Sequence, residues 1–127
     1  MLKNKVEVNM KKLTISVRVH IELEKIADLL GSASRGSSYW CENDLGFESA
    51  IKEVLSEEGV GSSIKDFETD SENNNIHILD LKKVKRGLTA MAKKEPQHFT
   101  DFIREDFDQT TGDVFLQCCL FGKVIYS

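Results

Sequence analysis

The chain has 127 residues and a mass of 14.4 kDa, a length that suits one domain with a core of its own. Its net charge of −4 lacks the basic excess of a nucleic-acid-binding surface, and no apolar run approaches the ~20 residues of a membrane-spanning helix. Cys41, Cys118 and Cys119 form an odd set with two adjacent members, which suits a reducing cytoplasm better than a disulfide framework.

Residues 1–12, MLKNKVEVNMKK, read as an N-terminal extension, basic but without the apolar stretch of a signal peptide. Residues 13–127 read as one globular domain. Leu13–His20 alternates, with Leu13, Ile15, Val17 and Val19 on one face and Thr14, Ser16, Arg18 and His20 on the other, which predicts a strand with one buried face. Leu23, Ile26, Ala27, Leu30 and Ala33 follow at amphipathic helical spacing. Gly31 and the run Ser32, Arg35, Gly36 end that helix and open a loop. Phe47–Leu55 predicts a shorter helix with Phe47, Ala50, Ile51, Val54 and Leu55 inward, stopped by Gly59 and Gly61. Ser63–Thr69 and Ile76–Leu81 flank the turn-rich DSENNN, the pattern of a hairpin with a polar, mobile tip.

Leu81–Glu95 predicts a helix with Leu81, Val84, Leu88 and Met91 on one side and Lys82, Lys83, Arg86 and Lys93 on the other. Pro96 separates it from a helix over Gln97–Phe107, with Phe99, Phe102 and Ile103 inward. Thr110 and Asp113 have capping-box spacing and would open a buried helix over Val114–Phe121. Gly122 should end it, leaving Lys123–Tyr126 as a terminal strand. The whole reads as an α/β (α+β) fold: a small mixed sheet, built from an N-terminal strand, a hairpin and a C-terminal strand, packed against about five short helices.

No signature of a phosphate-binding loop, a dinucleotide fold, a nucleophile elbow or a zinc protease is present. His20, His77 and His98 share no metal-ligand spacing with the cysteines. No metal, cofactor or catalytic residue is therefore assigned, although Cys41 and His98 could meet in space as a nucleophile and base. Cys118 and Cys119 read as small core residues. The stretch GSSYWC, residues 36–41, holds the only tryptophan. Its structural reading makes Trp40 a core anchor. Its functional reading makes Tyr39 or Trp40 a stacking ring, beside Arg35, Ser37 and Ser38 as phosphate-compatible donors. Lys82 and Arg86, on the basic helix face, complete the set of candidate binding residues.

Two stretches, SSYWC and TGDVFLQCCLFGKVIY, resemble the motifs of a family of small proteins carried by bacteriophages, prophages and other mobile elements. Gly36, Tyr39, Trp40 and Cys41 match its aromatic loop. Asp113, Gln117, Leu120, Phe121, Gly122, Val124 and Tyr126 match its tail, and HFTD, residues 98–101, the region ahead of that tail. Ser34-Arg35-Gly36 stands where the family has a Glu-Gly-Gly-like run, and Ser127 where it ends in Gly. The resemblance implies a setting rather than an activity: a phage or mobile-element accessory protein that acts by binding inside the bacterial host cytoplasm, expected as a homo-oligomer. The leading expectation is capture of a nucleotide signal, by analogy of role with phage anti-defence proteins. The second is inhibition of a host enzyme or nucleic-acid-binding protein through the acidic stretch Asp101–Asp108, and the third a small hydrolase using Cys41 or His98. Neither a membrane nor direct nucleic-acid contact is expected.

Overall fold

A computed structural model describes residues 12–56, 60–67 and 75–127. Residues 1–11 and the hairpin tip at 68–74, for which sequence reading gave an extension and a mobile turn, lie outside the described residues. In chain order the elements are α1 (Leu23–Gly36), β1 (Cys41–Asn43), α2 (Glu48–Ser56), β2 (Gly61–Asp66), β3 (Ile76–Asp80), α3 (Leu81–Lys94), α4 (Pro96–Ile103) and α5 (Gln109–Phe121). The α+β class holds, with five helices against one three-stranded sheet among the described residues.

The sheet order is β1-β2-β3, antiparallel throughout rather than mixed. Cys41 pairs with Asp66 and Asn43 with Ile64; Ser63 pairs with Ile78 and Gly61 with Asp80. The bond from Phe67 N to Trp40 O, 2.9 Å, extends the first ladder back to the tryptophan.

The core gathers Leu29, Leu30, Trp40, Leu45, Ile64, Leu79, Met91, Phe102, Phe115 and Leu116, all fully enclosed. Helix α5 runs through its centre: residues 111–120 are buried without interruption, as its apolar circumference requires. Its closest neighbours are α1 and α3. Gly112 permits the first approach, because a Cβ there would stand 2.5 Å from Ala33 N and 2.7 Å from Ser32 C. Asp80 caps α3 through Lys83 N at 3.0 Å, Pro96 takes the first turn of α4, and Gly122 closes α5 at φ 74°, the left-handed conformation that glycine adopts without steric cost.

Gly31 lies inside α1 rather than ending it, Leu23 and Ile103 are exposed rather than inward, and four further local expectations change. Residues 12–20 form neither helix nor strand, and Leu13, Ile15, Val17 and Val19 lie exposed, because no strand among the described residues accepts the segment. Phe47 is exposed because it precedes the first residue of α2, in a turn closed by its N–H on Asp44 O at 2.9 Å. Helix α5 begins earlier than the Thr110–Asp113 spacing implied: the Asp108 carboxylate accepts from Thr110 N and Thr111 N at 3.0 and 3.2 Å, so Asp108 is the N-cap. Residues 123–126 form no strand, since a side chain takes the backbone N–H groups that a ladder would have used.

Candidate functional site

That side chain is Gln117. Its Oε1 accepts from Ile125 N and Tyr126 N, each at 2.7 Å, and its Nε2 donates to Tyr126 O at 3.2 Å. One amide thus presents a donor and an acceptor to the returning backbone, as a strand neighbour would. The same Nε2 lies 3.0 Å from Asp113 Oδ1, one helical turn earlier.

Asp113 is the hub of the arrangement. With α5 capped at Asp108, Asp113 falls inside the helix and faces the end of α1. Its Oδ1 accepts from Trp40 Nε1 at 2.7 Å and its Oδ2 from the Tyr39 hydroxyl at 2.7 Å. A buried carboxylate requires such donors to offset its lost hydration, and here one comes from each aromatic residue of the loop and one from α5. Asp113 is therefore no capping residue. Burial first, then the bond to Asp113, pushes the Tyr39 phenol up to about 12.

The ring of Trp40 is fully enclosed. Tyr126 stacks on it at 5.0 Å and 23°, and Phe121 meets it at 5.6 Å. The Tyr126 hydroxyl reaches the two Asp66 oxygens at 2.9 and 2.7 Å. His77 lies alongside, its Nε2 3.9 Å from Asp66 Oδ2 and its ring edge-on to Phe121 at 5.2 Å. Burial lowers the His77 pKa, with the Asp66 charge opposing. The two motif stretches, far apart in the chain, are thus one structure.

A cleft of about 630 Å³ opens over this hub, within the range of sites that enclose small molecules. Arg35, Ser38 and Tyr39 line it from the end of α1, Gln109 and Thr110 from the first turn of α5, and Tyr126 from the tail. Arg35 and Ser38 are exposed, and Tyr39 is 47% exposed, so its ring remains accessible while its hydroxyl is held. No ion pair among the described residues engages Arg35.

The remaining candidates fall elsewhere. Ser37 is enclosed: its Oγ donates to Ala33 O at 2.6 Å and accepts from Cys41 and Asn43, so it offers a ligand nothing. Trp40 cannot stack on a base, because Tyr126 and Phe121 already cover it. Lys82 and Arg86 do not line the cleft. Arg86 donates to the carbonyls of Cys119 and Leu120, serving the C-terminal end of α5, where a cation meets unsatisfied carbonyls.

Cys41 is buried, and burial raises its thiol pKa, the reverse of an activated nucleophile. Its partners are Ser37 and Asn43, whereas His98 Nδ1 lies 3.3 Å from Thr111 Oγ1. Burial likewise raises Cys118 to about 11 and Cys119 well above its ordinary value. Part of the acidic stretch has structural work: Asp108 caps α5, Glu105 pairs with Lys25 at 3.3 Å, and Asp101 accepts from Gln97. No group of three His, Cys, Asp or Glu side chains among the described residues could hold a metal ion, and no described helix is long and apolar enough to cross a membrane.

No family model, curated protein or solved structure matches the chain.

Proposed function

We propose that the protein acts by binding a small anionic ligand of nucleotide type in the cleft over the Asp113 hub, in the phage or mobile-element setting that its motifs imply. The observation that carries this reading is the convergence of an exposed guanidinium, Arg35, which no ion pair among the described residues engages, and an accessible ring, Tyr39, on one cleft of about 630 Å³. Arg35 would meet a phosphate with its planar fork of donors, and Ser38 and Thr110 would add hydroxyls. The Tyr39 ring, fixed at its hydroxyl by Asp113, would stack on a base. Three donors already surround the Asp113 carboxylate, which leaves Arg35 as the charge that a ligand meets first.

The test is a thermal-shift screen of the purified protein against linear and cyclic nucleotides, repeated with Arg35→Ala. A ligand at one hundred times its dissociation constant should stabilise by about 2.7 kcal/mol. A shift with one nucleotide class, lost in Arg35→Ala, is the expected result. A flat panel, or a shift that survives Arg35→Ala, would overturn the assignment.

A further inference from the structure

Residues 13–19, LTISVRV, carry the period-two pattern of a half-buried strand and yet bury little. Leu13 is 87% exposed, Ile15 74%, Val17 73% and Val19 53%. We propose that this segment pairs antiparallel with the same segment of a second copy, making the protein a two-fold dimer. This inference is independent of the ligand assigned to the cleft.

The segment is complementary to itself. Centred on Ser16, antiparallel pairing sets Leu13 against Val19, Ile15 against Val17 and Ser16 against Ser16, so every aliphatic side chain meets another on a single face. A register slip by one residue would place aliphatic residues opposite polar ones. On the other face Thr14 opposes Arg18, which holds the two Arg18 charges about 14 Å apart, four residues along a strand and beyond the Debye length of ~10 Å. Such an isologous contact closes on itself.

The aliphatic face also has somewhere to lie. Val17, Val19 and Ile21 border a groove of about 450 Å³ whose far wall includes Leu88, Ala92 and Phe99 of α3 and α4. Pairing brings Leu13 and Ile15 of the second copy beside Val19 and Val17, at the mouth of that groove. The obvious competitor, the outer edge of β3, is less open than the sheet order implies: Lys83 Nζ already donates to Ile78 O at 2.6 Å, and a lysine on an edge strand discourages strand addition.

Sedimentation equilibrium of the full chain reads the association. The expected mass is twice the chain mass of 14.4 kDa, falling to one chain mass in the Ile15→Glu, Val17→Glu double variant. Its thermal midpoint should stay close to that of the dissociated wild type, since both side chains are exposed within one copy. Ser16→Cys should cross-link two copies on mild oxidation, because directly opposed residues fall within disulfide reach, and the native thiols are all buried. Thr14→Cys should not, its counterpart lying about 14 Å away. A monomeric wild type, a dimer that survives the double glutamate change, or equal cross-linking through Thr14→Cys would each overturn the proposal.

Discussion

Replacing Asp113 by alanine removes the acceptor shared by Tyr39, Trp40 and Gln117, and the three donors do not suffer equally. Tyr39 is nearly half exposed and its hydroxyl can turn to water. Gln117 keeps its bond to Tyr126 O at 3.2 Å. The Trp40 indole N–H, in a fully enclosed side chain, has no other acceptor among the described residues, and a buried donor left unpaired costs about 1–3 kcal/mol. Adding the charge-assisted part of the Gln117 bond gives a loss of about 2–4 kcal/mol for Asp113→Ala, or roughly 8–15 °C in thermal midpoint for a domain of this size. Asp113→Asn retains an oxygen for Trp40 and Gln117, and a phenol can accept as well as donate, so it should cost about 1 kcal/mol. Urea unfolding followed by Trp40 emission, with circular dichroism in parallel, measures both, and Trp40 is the only tryptophan. A loss below about 1 kcal/mol for Asp113→Ala, less than one orphaned donor costs, would refute the hub as a stabilising unit.

Two further outcomes follow from the same geometry. Phe121 is only half-buried, although it touches Trp40, Tyr126 and His77. Phe121→Ala should therefore cost about 2–3 kcal/mol in chemical denaturation, below the ~3–5 kcal/mol of a fully enclosed phenylalanine, and a larger loss would place it deeper than its exposure indicates. Tyr39, raised from 10.0 to about 12, favours the neutral phenol in the folded protein. Its contribution is complete below pH 10 and is lost as the pH rises from 10 towards 12. Tyr39→Phe should flatten thermal stability across that window relative to wild type. The buried thiols titrate alike in both proteins, so an unchanged slope would sink the assignment.

Periodicity made the helices legible. Each amphipathic run, including Leu23–Gly36 and Leu81–Lys94, needs only local spacing to declare its buried face. Strands were legible only where a turn paired them, as in β2 and β3. Leu13–His20 has a strand's alternation but no partner strand among the described residues, and alternation alone does not supply one. At the site, residue type offered Trp40 as either an anchor or a stacking ring and Tyr39 and Arg35 as binding candidates, and burial decides between them: Trp40 is enclosed, Tyr39 and Arg35 exposed. The Asp113 hub was not, because its acceptor and aromatic donors lie 73 and 74 positions apart. One signal was available: Gln117 is the lone amide in the otherwise apolar stretch Val114–Phe121, and a buried amide needs partners. Lys82 and Arg86 misled because positive charge on a helix reports exposure, not direction.

The hub also carries an expectation about the order in which the molecule assembles. Local helices need only neighbours in sequence, whereas seating the indole on Asp113 requires a loop of more than seventy residues to close, with its entropy lost before any contact repays it. Tryptophan emission in this protein should therefore follow the docking of the two chain halves rather than the winding of its helices, so that a refolding trace seen through the indole records the arrival of topology.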